Sequence, residues 1–409
     1  MKKLVLILLL LSMIASLPVG GHFTSASGNP WTSRTPIPTP LAGLEAAVAN
    51  GKIYAFRMSV TYEYNPGAVW ATKSSMPTWR YNAAVASYQN MIYVVGGVTN
   101  DTIITEKNEV YNPENDSWKT MAPMPTPRHS LDANVVDGKI YLIGGLVQHH
   151  LFPDVKGTYE ATDANEVYDP TTNSWTARKT MPNATYNYAS AVVDNKIYII
   201  SETLTQIYNP EDDAWSYGTP PPHSVDMAGS AATTGATAPP RIYVIGGREG
   251  GLEVNCNQIY DPATDSWSLG TPLPTGRYSL GVAAVNDVIY AFGGMTGAFV
   301  AVEQQDQNEQ YNPFEDTTIP APSHTGTPTP LVSPSPSPST LPSSSPLPTP
   351  SPPASPTPST SASEQPTQTP PEAAFLPAEA IYAAAAAAAI TVAGATVILK
   401  RKKGKHKMP

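Results

Sequence analysis

The chain has 409 residues with 44 prolines, one cysteine and only 14% charged residues, so it is not uniformly globular, and the lone Cys256 excludes an intramolecular disulfide framework or a zinc site built from several thiolates. Net charge is −9; with the eight terminal cations set aside (Lys2, Lys3 and six from Lys400 to Lys407), the interior holds 16 cations against 33 carboxylates, or −17. That surface repels phosphate backbones and sets nucleic acid aside as a partner.

Residues 1–26 begin with Lys2 and Lys3, continue as the apolar run Leu4 to Ile14 and then turn to small residues. This predicts a cleaved secretory signal, because the run is too short to cross a bilayer as an anchor.

Residues 29–319 are self-similar. An Ile-Tyr pair in a short apolar run begins at Ile53, Ile92, Ile140, Ile197, Ile242 and Ile289. Four runs end in paired glycines: Gly96 and Gly97, Gly144 and Gly145, Gly246 and Gly247, Gly293 and Gly294. Arg57 and Met58 stand there in the first unit, Ser201 and Glu202 in the fourth. Each run leads to a Tyr-Asn-Pro or Tyr-Asp-Pro turn, at Tyr64, Tyr111, Tyr168, Tyr208, Tyr260 and Tyr311. A tryptophan follows in five units: Trp70, Trp118, Trp175, Trp215 and Trp267. The apolar runs have strand length and read as strands buried on both faces, and Asn/Asp-Pro starts a turn.

This order of elements resembles the Kelch repeat, in which a buried strand ending in Gly-Gly is followed by Tyr and then Trp in a four-stranded blade of roughly 50 residues. The resemblance implies an all-β, six-bladed propeller of antiparallel blades. Trp31 stands ahead of the first unit, and no tryptophan follows Tyr311 in the last. An N-terminal strand carrying Trp31 is therefore expected to complete the sixth blade and leave no open edge. Trp79 falls outside the pattern.

Three units begin with Pro-Thr-x-Arg, and Arg80, Arg128 and Arg277 each precede the next Ile by twelve residues. Equal spacing places them at one height near the mouth of the central channel, where Leu41 and Thr185 stand in the first and fourth units and the fifth counterpart falls near Asp226. The sequence reading puts Arg80, Tyr81, Arg128, His129, Arg277 and Tyr278 in a polar pocket for an anionic or hydroxyl-rich ligand, since guanidinium suits carboxylates and aromatic rings suit sugar faces. The competing reading makes the arginines ties between neighbouring blades. Long loops on the same face, including one with His149 and His150, are expected to serve recognition.

The resemblance also admits enzymes: a sugar mutarotase, for which Arg80, Arg128, Arg277, Asp132 and Glu202 are compatible, or a copper oxidase, which needs a cysteine bonded to a tyrosine and two histidine ligands. His129, His149, His150 and His223 have no metal-ligand spacing, so no catalytic residue, metal or cofactor is assigned. Acidic turns such as Asn115-Asp116 and Asp212-Asp213 read as turn chemistry rather than calcium sites. Asn100, Asn115 and Asn183 open Asn-x-Ser/Thr sequons.

From Pro320 to Pro371, 52 residues include 18 prolines and one formal charge, Glu364. Such a segment builds no core, and residues 320–378 read as an extended Pro/Ser/Thr stalk. Residues 380–399 form an uncharged 20-residue stretch, long enough as a helix to cross about 30 Å of hydrocarbon. The basic tail, residues 400–409, places the C-terminus in the cytoplasm. The expected protein is a single-pass cell-surface propeller, membrane-anchored by its C-terminal helix, that binds an extracellular protein or glycan; the alternative is a membrane-tethered carbohydrate-active enzyme.

Overall fold

The computed structural model describes residues 29–149, 158–297, 302–316 and 318, all β-strand, turn or loop. The expected signal, the stalk, the membrane segment, the tail and His150 lie outside them. Among the described residues no helix is long and apolar enough to cross a membrane.

Six four-stranded antiparallel sheets follow one another along the chain as blades. The first runs from the axis outward as Glu45–Ala49, Lys52–Arg57, Val60–Tyr64 and Trp70–Thr72. Innermost strands alternate in burial, whereas the Ile-Tyr strands are continuously buried, as Met91–Val95 and Lys139–Ile143 show. The difference reflects position: the innermost strand faces the channel on alternate residues, and the second is covered by both neighbouring blades.

The sixth blade closes the ring as expected. Gly281–Val285, Val288–Phe292 and Asn308–Tyr311 are completed by Trp31–Arg34, with Trp31 opposite Tyr311 and Arg34 opposite Asn308. The Trp31 ring lies 4.9 Å from that of Tyr311.

The tryptophans join each blade to the one before it. Trp31 Nε1 donates to the Thr271 carbonyl, Trp70 to Thr35, Trp118 to Ser74, Trp175 to Ala122, Trp215 to Lys179 and Trp267 to Thr219, all at 2.9–3.1 Å. Asp116 does similar work: it accepts from the Tyr111 hydroxyl in its own blade at 2.6 Å and from the Ser74 amide of the preceding blade at 2.9 Å. Asp213 accepts likewise from Tyr208 and from the Lys179 amide. These acidic turns are inter-blade latches. The first blade lacks one, and the buried Tyr64 hydroxyl has no hydrogen-bond partner among the described residues.

Paired glycines mark the closest approach of successive blades. Gly96 and Gly97 have φ of 70° and 96°, and the Gly97 amide donates to the Arg128 carbonyl of the next blade. A Cβ on Gly96 would collide with that carbonyl. Glycine is required on both counts.

Candidate functional site

The segments leading into the innermost strands carry the residues singled out by sequence, but Arg80, Arg128 and Arg277 do not line the mouth. They are 1%, 0% and 0% exposed. Each pairs with a glutamate on the third strand of its own blade: Arg80 with Glu109 at 2.9 Å, Arg128 with Glu166 at 2.9 Å, and Arg277 with Glu309 at 2.7 Å. Arg80 also donates to the Lys107 and Val94 carbonyls, and Arg128 to those of Gly144, Ala164 and Leu142. The motif threonine supports the pair, with the Thr78 hydroxyl on Glu109 and that of Thr126 on Glu166, both at 2.7 Å. Burial lowers the Arg80 guanidinium to about 10 against the opposing pull of Glu109. The pocket assignment for the arginines is thus corrected, because their guanidinium groups are buried against glutamates and carbonyls of their own blade; the competing reading is refined, because these side chains tie their own blade while the Arg128 and Arg277 carbonyls accept from the preceding one.

His129 is 7% exposed, with Nδ1 2.9 Å from the Ser130 hydroxyl and its ring edge-on to Tyr159. Burial lowers it to about 4, leaving a neutral imidazole at physiological pH. His149 ends the strand Leu146–His149 of a loop hairpin. Trp79 packs edge-on against Tyr81.

Two residues after each arginine position the chain turns left-handed. Gly43, Asn82, Ser130, Asn187, Met227 and Ser279, one per blade, all have φ between 50° and 64°. Five of the six junctions between them are bridged head to tail: amides of Ser130, Asn187, Met227, Ser279 and Gly43 donate to the carbonyls of Asn82, Ser130, Asn187, Met227 and Ser279 at 2.7–3.2 Å. Between the first and second blades, the Gly43 carbonyl faces Arg57 Nη1 at 3.4 Å instead.

All six residues line one cavity of about 510 Å³, which places it on the propeller axis. Tyr81 and Tyr278 line it as well, each with a guanidinium over its ring: Arg57 at 5.2 Å from Tyr81 and Arg248 at 5.2 Å from Tyr278. Arg248 also forks onto Asp226 at 2.6 and 3.1 Å.

Glu45 and Asp132 line the same well; sequence reasoning named Asp132 only as compatible with a mutarotase and did not name Glu45. Glu45 accepts no hydrogen bond from a described residue, and burial followed by the nearby Asp132 charge pushes it up to about 8 despite Arg57. Asp132 accepts from the Ser190 hydroxyl at 3.0 Å, and burial still raises it to about 6. Desolvation of two adjacent carboxyls leaves one of them protonated near neutrality. A sequence signal existed: four residues after the arginine position stand Ala84, Ala189, Gly229 and Gly281 in four blades, and Glu45 and Asp132 in the other two.

Cys256 packs in the fifth blade, its Sγ 3.4 Å from the Gly246 carbonyl, and burial raises the thiol to about 11. Among the described residues no three His, Cys, Asp or Glu side chains converge as a metal site requires.

A family model described as the Kelch motif matches residues 80–125, 127–182 and 231–274. The chain is 28% identical over 194 residues to Kelch-like protein terF of Aspergillus terreus, covering 39% of this chain and 40% of that one. It is 28% identical over 208 residues to human Kelch repeat and BTB domain-containing protein 12, covering 46% of this chain and 33% of that protein. A putative F-box/kelch-repeat protein of Arabidopsis thaliana is 26% identical over 223 residues, which cover 48% and 59% of the two chains. The chain thus spans between a third and three-fifths of the length of these relatives. A solved structure titled "Structure of YjhT" superposes with a TM-score of 0.55 at 16% identity, covering 66% of this chain and 99% of that one, a likeness of fold. With its motifs matched and its blades in Kelch order, the chain belongs to the Kelch-repeat family.

Proposed function

We propose that the propeller is a binding module that docks a protein partner on the face around the axial well. A Kelch-repeat propeller suggests a protein-binding function. One observation carries the choice of face. Nine large apolar side chains are exposed among the described residues, and five belong to segments on the mouth side: Ile103, Tyr159, Tyr186, Leu252 and Val302. They come from the second to sixth blades and form an apolar rim around a polar well, the pattern of a recognition surface. The N-terminal signal, the Pro/Ser/Thr segment and the C-terminal apolar stretch support presentation of this face outside the cell on a membrane-anchored stalk.

The test is affinity capture from a surface extract of the native cells with the full chain, Ile103→Asp/Leu252→Asp, and Phe314→Asp as an off-face control. The reading predicts that the double variant loses a partner that the wild type and Phe314→Asp both retain. Capture of the same proteins by all three would reject the mouth face.

A second reading has its own support. Glu45 and Asp132 form a partly protonated carboxyl pair in an open well, which suits acid-base chemistry on a small hydroxyl-rich substrate, including a glycan end. Glu45→Gln and Asp132→Asn separate the two: loss of partner capture favours docking, and loss of turnover of an added sugar favours chemistry.

A further inference from the structure

We infer that the axial well receives a primary ammonium group, presented as a lysine side chain on the docked protein. This rests on the proposed docking face and adds the chemistry of what enters its centre.

Charge decides the sign of the guest. The three arginines that would have made the mouth cationic are neutralised by Glu109, Glu166 and Glu309. Arg248 is occupied by Asp226. Arg57 is the one guanidinium facing Glu45, and it lies over the Tyr81 ring. Asp101, Glu106, Asp163, Glu202, Glu249 and Glu303 stand exposed on the surrounding loops. An anion entering the well would meet Glu45 and Asp132 with Arg57 as the one basic side chain beside them; a cation meets two carboxyls, one of which, Glu45, accepts no hydrogen bond from a described residue.

Geometry selects ammonium over guanidinium. A guest guanidinium gains most from stacking on an aromatic face. One face of Tyr81 and one of Tyr278 are already taken by Arg57 and Arg248. What remains is a pair of carboxyls in a well also lined by Ser130, Ser190 and Ser279, with the Ser190 hydroxyl on Asp132, which suits a compact point charge with three donors. The apolar rim would take the residues flanking the lysine.

The groups around the pair set the proton balance. Glu45 faces Asp132 and Arg57; Asp132 faces Glu45 and the Ser190 hydroxyl, with Tyr188 behind it and Arg128 beyond. In the empty well at neutral pH, Glu45 holds a proton. The incoming ammonium replaces it: the carboxyl O–H ionises, its proton passes to solvent, and the carboxylate accepts from the ammonium N–H.

The test is calorimetric titration of the full chain with the blocked peptide Leu-Gly-Lys-Gly-Leu and its norleucine counterpart. The lysine peptide is expected to bind at least about tenfold tighter than the norleucine peptide, and about fiftyfold tighter at pH 8 than at pH 6, with release of about one proton at pH 7 read from buffers of different ionisation enthalpy. Glu45→Gln, verified by its melting curve, is expected to abolish proton release and the pH dependence, and Arg57→Gln to tighten binding. Equal binding of the two peptides, no binding of either, or an unchanged pH dependence in Glu45→Gln would overturn the inference. If Ile103→Asp/Leu252→Asp loses the partner while the peptides bind alike, the docking face stands and the ammonium site falls. If peptide binding behaves as expected and capture never changes, the reverse holds.

Discussion

The first and second blades are built from the same repeat and hold together differently. The second has the buried Arg80–Glu109 pair, the Gly96-Gly97 contact with the next blade and the Tyr111–Asp116 latch. In the first, Leu41 and Tyr62 occupy the ion-pair positions, Arg57 and Met58 stand in place of the glycines, and the Tyr64 hydroxyl has no hydrogen-bond partner among the described residues. The left-handed ring of amide bonds is also interrupted between these two blades. Yet the first blade supplies both Glu45 and Arg57 to the well. The repeat is relaxed where the site is, as expected when local rules yield to function.

Closure by the N-terminal strand underlies the whole comparison, so its removal has the largest expected effect. Deleting residues 29–38 removes the Trp31 clasp and opens an edge, and the melting temperature should fall by about ten degrees or more. An unchanged melting curve would contradict the closure.

Next comes the ion pair. Glu109→Ala strands a buried guanidinium and should cost about 3–5 kcal/mol in urea unfolding. Importing the first blade's solution, Arg80→Leu with Glu109→Tyr, should recover most of that loss. If the double variant is as unstable as the single one, the two blades do not use interchangeable solutions.

The well should reveal itself in the pH dependence of stability. The folded pKa of Glu45 stands above its unfolded value, so its contribution is complete below about pH 4 and is lost as pH rises to about 8. Wild-type stability should decline over that window by on the order of 1 kcal/mol per pH unit at most, while Glu45→Gln declines less. Asp287 behaves oppositely: three amide hydrogen bonds, from Thr234, Thr237 and Ala238, hold it well below the carboxylate range, so its contribution is lost as pH falls. Asp287→Asn should mainly lower stability above pH 4.

The smallest effect belongs to Met58, a non-glycine residue at φ 58°. Met58→Gly should stabilise the first blade by up to about 1 kcal/mol, whereas Gly96→Ala in the second should destabilise.

Blade number, strand order and the closing strand were legible in the sequence because period, Ile-Tyr runs and tryptophans are local signals. The arginines' height was legible too, but not their partners, since Glu109, Glu166 and Glu309 lie 29, 38 and 32 residues downstream across loops of different length. The pairing does leave a trace. Where arginine is absent, the glutamate is absent as well: Thr185 goes with Gln206, Val225 with Gln258 and Leu41 with Tyr62. Glu45 and Asp132 belong to no motif, and only the alignment of six blades around one axis shows that they share a well.

Asp316 gives the last blade a mechanical property. Immediately after the final strand, it accepts from the Tyr311 hydroxyl at 2.6 Å, from the Thr271 amide and hydroxyl at 2.6 and 3.0 Å, and from the amide and hydroxyl of Thr318. Tension applied to the chain beyond Thr318 therefore meets a mooring shared between the fifth and sixth blades before it can peel Asn308–Tyr311 from Trp31–Arg34. In a force-extension experiment, Asp316→Ala would let the sixth blade unzip at a lower load than the wild type.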